Sequence, residues 1–182
     1  MKQQLVELIT LISSGALDER DIERIADEAA LAYADPQAYL ASHLGNGYEE
    51  GSRQSLGEWV LLDNLPDNVL FQAQQADELY RKIINSFGPE QPANLALPPE
   101  ALTGLELLDA LERIHAQLSA LYPKTDGYEL VEFGEPLEEG LQMVLIYTRD
   151  LPRLQALAVE TGIYAAPAFE NRLTELGDGE DG

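Results

Sequence analysis

The chain has no cysteine, two histidines and only eleven lysines and arginines among 182 residues. Without cysteine there is no disulfide, no iron–sulfur cluster, no thiolate zinc site and no cysteine nucleophile. His43 and His115 fall on separate predicted helices and lack a His-Glu-x-x-His spacing, so a zinc site of three imidazoles cannot be assembled within one chain. The eleven cations stand against thirty-three Asp and Glu, a formal net charge of −22. Affinity for nucleic acid comes from Lys and Arg neutralising phosphate, and attachment to anionic membranes draws on the same groups. Their scarcity argues against both. No run approaches the roughly 18 apolar residues of a membrane helix, and Glu7 interrupts an N-terminus that a signal peptide would keep apolar. The expectation is a soluble cytoplasmic protein of bacterial type.

Phosphate-binding strings are missing as well. A P-loop needs Gly-x-x-x-x-Gly-Lys-Ser/Thr so that backbone amides cradle phosphate beside a lysine, and no such string occurs. Gly45-Asn46-Gly47-Tyr48-Glu49-Glu50-Gly51 has the wrong spacing for a dinucleotide turn, follows a predicted helix, and puts two carboxylates where pyrophosphate would sit. There is no Gly-x-Ser-x-Gly elbow. Asp178-Gly179-Glu180-Asp181 resembles the start of a calcium loop without room for its later ligands. No cofactor and no metal are expected.

What is present is enough apolar material, 45% of residues, to build a core beneath the charge. Leu5, Leu8, Ile9 and Ile12 repeat at helical spacing and stop at Ser13-Ser14-Gly15. Asp18 stands at an N-cap position before a stripe of Ile22, Ile25, Ala26, Ala29 and Tyr33. Asp35-Pro36 opens a short helix to about His43. Ser55-Leu56-Gly57-Glu58 has capping-box spacing and places Trp59 to Leu62 on a helix. Residues 69–73 form a short β-prone run that can be a strand or the start of the next helix, whose apolar face is Leu79, Tyr80, Ile83, Ile84 and Phe87.

From Gly88 to Pro99 the sequence holds four prolines and little periodicity, the mark of a linker or of a loop over one core. Thr103-Gly104-Leu105-Glu106 reads as a second capping box, ahead of a helix carrying Leu108, Leu111, Ile114, Leu118 and Leu121. Residues 128–133 and 141–148 are the strongest strand candidates, joined as an antiparallel hairpin. The second strand is apolar on both faces and belongs mid-sheet. Asp150 is expected to cap a last helix that Gly162 ends. These elements predict an α+β fold: a helix-rich N-terminal half and a small, mainly antiparallel sheet (hairpin 128–148, with 69–73 as a possible strand) packed against helices. Residues 1–165 read as one domain, with a possible sub-boundary at 88–99, and 166–182 as a frayed acidic tail.

Asp35-Pro36-Gln37-Ala38-Tyr39-Leu40, the Trp59-Val60-Leu61-Leu62-Asp63 helix, and the Leu-rich helix followed by two strands and a closing helix resemble a bacterial family of acidic α+β proteins catalogued only as a domain of unknown function. The resemblance covers roughly residues 1–165. It implies the fold and brings no activity and no catalytic residues.

Charge placement carries the functional reading. On the second helix Arg20 and Arg24 stand at spacings that allow pairs with neighbouring acids, as on an ordinary solvated face. Asp126, Glu129, Glu132, Glu135, Glu138 and Glu139 form the other group, with no base among them. Self-repulsion there has no local compensation, which makes these six the candidate partner-binding residues. The expectation is a non-enzymatic interaction or regulatory protein that binds a basic protein. A small carboxylate-based or divalent-cation-dependent enzyme, and a nucleic-acid mimic, are the alternatives. Trp59 reads as a core anchor or an exposed hot spot, and Tyr33, Tyr39 and Tyr48 as possible pocket walls beside it.

Overall fold

A computed structural model describes residues 1–89, 95–121, 126–136 and 139–180, with side chains through 175. Helix α1 (Lys2–Ser13) leads into α2 (Glu19–Ala34), where the N–H of Asp21 donates to Asp18 Oδ1 at 2.8 Å. Asp35 closes α2 and caps α3 (Pro36–Ser42) by accepting from Ala38 N at 3.1 Å. Ser55 Oγ accepts the N–H of Glu58 at the start of α4 (Leu56–Asn64). These caps satisfy backbone donors that the first turn of a helix leaves unpaired.

The β-prone run yields a strand of three residues only, β1 (Phe71–Ala73). Val69 and Leu70 instead close a turn by donating to Pro66 O. Helix α5 is Ala76–Ser86 and α6 is Leu107–Ser119. The second capping box does not form: α6 starts after Glu106 with no side-chain cap, because Gly104 at φ +80° turns the chain. Thr103 Oγ1 then faces Asp77 at 3.5 Å. Strands β2 (Tyr128–Phe133) and β3 (Leu141–Tyr147) make the expected hairpin. Helix α7 (Leu151–Thr161) follows a 3-10 turn, so Asp150 precedes it in a helical rather than a capping conformation, and Gly162 ends it at φ +73°.

The stretch read as a frayed tail is structured through Glu180. Ala165–Pro167 is β4, antiparallel to β2, and Ala168–Glu180 is helix α8. The signal for this helix was weak because its docking rests on a few particular contacts, Phe169, Asn171 and Arg172, rather than on an apolar repeat. Of the proline-rich stretch, residues 90–94 lie outside the described residues.

The sheet runs β1-β3-β2-β4, antiparallel throughout. It joins strands from both sides of the proline-rich stretch, since β1 pairs with β3. Val144 and Ile146 of β3 pack with Val131 and Phe133 against Leu5, Leu8, Ile25, Leu61 and Leu157. Met143 and Leu145 join Leu130, Leu79, Ile83, Leu111 and Ile114 in a second cluster. Successive residues of a strand point to opposite faces, so the central strand is covered on both sides, as its apolar run predicts. The result is an α+β fold of helix, sheet and helix layers. Burying each such Leu or Ile is worth about 1.5–3 kcal/mol relative to exposure. Gly57 allows α4 to approach α2: a Cβ there would lie 2.4 Å from the Tyr33 ring.

Candidate functional site

The six candidate acids do not remain together as an unpaired group. Asp126 is exposed at φ +60° just before β2. Six strand residues span roughly 20 Å, so Asp126 lies at the far end of β2 from Glu135. Glu129 is buried, with Oε2 3.7 Å from His115 Nδ1. Glu132 is gripped by Arg172 at 2.6 Å and by Asn171 at 2.9 Å. Glu135 lies 3.7 Å from Arg53, and its N–H donates to Glu58 Oε1 at 2.9 Å. Glu138 lies outside the described residues. Glu139 is exposed, and its backbone O accepts from Gln74 Nε2 at 3.0 Å. Compensation missing along the sequence therefore arrives through the fold for Glu135 and Glu132, from Arg53 and Arg172, while Glu129 is taken into the interior beside His115.

Glu139 belongs to a concave site that the sequence did not reveal. Where the end of the β2–β3 hairpin meets α4 and β1, a hollow of about 400 Å³ opens. One face of α4 lines it, because Trp59, Leu62 and Asp63 stand at i, i+3 and i+4. Trp59 is half-buried, held edge-on by Tyr48 with ring centroids 5.8 Å apart. It is thus packed on the core and also presented to the hollow. Of the other two tyrosines, Tyr33 covers Gly57 and Tyr39 stacks on His43.

Four glutamines line the floor and walls, and each amide nitrogen already donates to a protein oxygen. Gln142 Nε2 donates to Phe133 O at 2.9 Å, and Gln72 Nε2 to Gln142 Oε1 at 2.9 Å, across the β1–β3 pair. Gln74 reaches Glu139 O, and Gln54 reaches Glu135 O. Gln54 is 3% exposed, and its Oε1 has no hydrogen-bond partner. The hairpin can come this close because residue 134 is glycine: at φ +73°, a Cβ would meet Leu62 at 2.7 Å and Gln142 at 3.1 Å.

The hollow is acidic. Asp63, Asp67 and Glu139 line it, and none of the described residues lining it is Lys or Arg. A second hollow of about 390 Å³ shares Asp67, Leu70 and Gln72 with it and ends at Lys82, whose ammonium is taken up by Gln72 O at 2.5 Å and Glu78 at 3.5 Å. Elsewhere the scarce cations are also paired: Lys2 with Asp27, Arg153 with Glu7, and Arg172 with Glu132.

Among the described residues two carboxyl groups, Glu58 and Glu129, titrate above the usual range, and neither lines the hollow. Burial pushes Glu58 up, opposed by the N–H groups of Glu135 and Ser55. Burial also pushes Glu129 up, and His115 offsets part of the rise. His115 is therefore a boundary histidine with a carboxylate neighbour, stacked on Phe169 at 5.5 Å. Among the described residues no three His, Asp or Glu converge as a metal site, and no helix is long and apolar enough to cross a membrane. No protein-family model, curated protein or solved structure matches the chain.

Proposed function

We propose that this chain is a non-enzymatic interaction or regulatory protein that binds a basic partner through the acidic concave surface between α4, β1 and the hairpin end. One observation carries this reading: Asp63, Asp67 and Glu139 surround a hollow whose described lining residues include no Lys or Arg, in a chain whose few cations are largely drawn into pairs elsewhere. Like charges around one concavity raise its potential and focus it outward, which steers cationic partners. Acid–base catalysis finds less support, because the two carboxyls with raised pKa values, Glu58 and Glu129, are not among the residues lining the hollow.

The test uses a fluorescently labelled, unstructured Lys/Arg-rich peptide and measures anisotropy at low and high salt. Binding is expected to weaken at least tenfold between about 50 and 500 mM salt as screening shortens. It should weaken similarly in the triple variant Asp63→Asn, Asp67→Asn, Glu139→Gln. A control triple with the same charge change on the exposed faces of α2 and α6, Glu19→Gln, Glu23→Gln and Glu112→Gln, should leave it nearly unchanged. Equal effects of the two triples would reduce the interaction to bulk charge and overturn the site.

A further inference from the structure

The chemistry of the hollow specifies more than a positive charge. Its lining offers acceptors in surplus: three carboxylates and the oxygen of Gln54, while each amide nitrogen of Gln54, Gln72, Gln74 and Gln142 already gives one of its two N–H groups to a protein oxygen. Gln54 Oε1 stands out, being buried in a side chain 3% exposed and without a partner. An acceptor left unmet in the interior is costly, and a donor from outside relieves it. A sugar brings acceptors as well as donors, and its acceptors would have only the second N–H groups of these amides to meet beside three carboxylates. A bare metal ion needs converging ligands, which the described residues do not provide. A guanidinium brings five N–H donors in one plane and no acceptor. Its flat, weakly hydrated face stacks on indole better than an ammonium does, and the half-buried Trp59 lines the wall, one helical turn from Asp63.

We infer that the hollow is a guanidinium pocket that receives an arginine side chain of the basic partner, stacked on Trp59, paired with Asp63 and Asp67, and donating to Gln54 Oε1. This rests on the partner-binding reading above and sharpens it from net charge to one residue type. The flexible alkyl stem of arginine has the apolar lining residues, Leu62, Leu65, Leu70 and Pro136 among them, to pack on. An Arg-to-Lys change in the partner is then not conservative, since the ammonium keeps the charge but loses the planar fork.

Trp59 is the sole tryptophan, so its emission reports on the pocket directly. Titration with N-acetyl-arginine amide should shift or quench that emission saturably. The lysine analogue should require at least about fivefold higher concentration, and the uncharged citrulline analogue should be silent at concentrations that saturate the arginine compound. Asp63 is exposed, so Asp63→Asn keeps the fold, as far-UV circular dichroism would verify, and should weaken the arginine response about tenfold. Gln54→Leu, checked in the same way, should weaken it too. Equal responses to the arginine and citrulline compounds, or an unchanged response in Asp63→Asn, would overturn the pocket. The labelled peptide separates the two ideas. If its all-lysine version binds as tightly as the all-arginine one, and the site triple still weakens both, the basic-partner reading stands and the guanidinium pocket falls. If neither peptide binds while the arginine amide does, the pocket stands and the partner reading falls.

Discussion

Replacing Gly57 by alanine places a methyl group inside the Tyr33 ring: the new Cβ would sit 2.4 to 2.6 Å from three ring carbons. Real Cβ contacts do not come that close, so α4 must move away from α2 or the ring must turn. Overpacking of this kind costs about 1–3 kcal/mol. If the ring turns, the bond from Tyr33 Oη to Thr161 O, 3.0 Å long, is lost as well, for about 1 kcal/mol. Against this, alanine gains up to about 1 kcal/mol over glycine in a helix. The net expectation for Gly57→Ala is a loss of roughly 1–3 kcal/mol, read as a lower urea midpoint and a melting temperature down by several degrees. The decisive measurement is the same substitution in a Tyr33→Ala background. With the ring gone the clash disappears, and Gly57→Ala should become neutral or stabilising by up to about 1 kcal/mol. A change of sign identifies the ring contact as the reason for glycine; equal destabilisation in both backgrounds would refute it. The experiment also bears on function, because α4 carries Trp59 and Asp63 into the hollow.

Glu129 provides a pH test. Its pKa in the fold is raised by burial, only partly offset by His115, with Glu170 adding to the rise. The folded state therefore holds this proton to higher pH than the unfolded chain does, and the associated stability, present below about pH 4.5, is lost as pH climbs through the raised value. Glu58 contributes with the same sign. Glu129→Gln should flatten the fall in stability from about pH 4.5 towards neutrality, whereas Glu112→Gln on the exposed face of α6 should leave the slope nearly as it was; matching slopes for the two variants would show that Glu129 does not carry the effect. Arg172→Ala should cost roughly 1 kcal/mol, since Arg172 is one-third exposed while Glu132 is 13% exposed and keeps Asn171. It should also speed amide exchange in the first turns of α8; unchanged exchange there would mean that the Glu132 pair does not hold the helix.

Helices with an uninterrupted apolar stripe, such as α1, α2 and α5, were legible in the sequence, and so were Asp18, Asp35 and Ser55 as caps, because these signals are local. The β2–β3 hairpin was legible for the same reason, and the doubly apolar β3 announced its central place. The β1 run was ambiguous at three residues, where pairing with β3 rather than propensity decides the outcome. α8 was hidden because its anchors, Phe169 and Arg172, meet His115 and Glu132, which are remote in sequence. The acidic segment misled for a related physical reason. Charge compensation acts through space: Arg172 of α8 faces Glu132 and Arg53 of the loop before α4 faces Glu135, while Glu129 is buried beside His115 of α6. The hollow was the least legible part. Gln54, Gln72, Gln74 and Gln142 are unremarkable in a chain of this composition, and only the β1–β3 register and the close approach at Gly134 turn them into one lined surface. Trp59 showed itself as an anchor or an exposed hot spot, but of the tyrosines read as pocket walls beside it only Tyr48 packs on its ring.

The pairing of Phe71 with Met143 has a consequence for synthesis. At the usual ~5–20 residues per second, the ribosome needs roughly 4 to 14 s between making β1 and making the strand that covers it. For that interval Leu70 and Phe71 sit on a chain whose sheet cannot close, a condition that invites association with other nascent chains. A strand of only three residues, with Gln72 at its centre, Gln74 and Gln75 after it, and Asp67 and Asp77 close by in sequence, is poorly suited to such pairing. Like charge on neighbouring unfinished copies, in a chain of net charge −22, opposes that association as well.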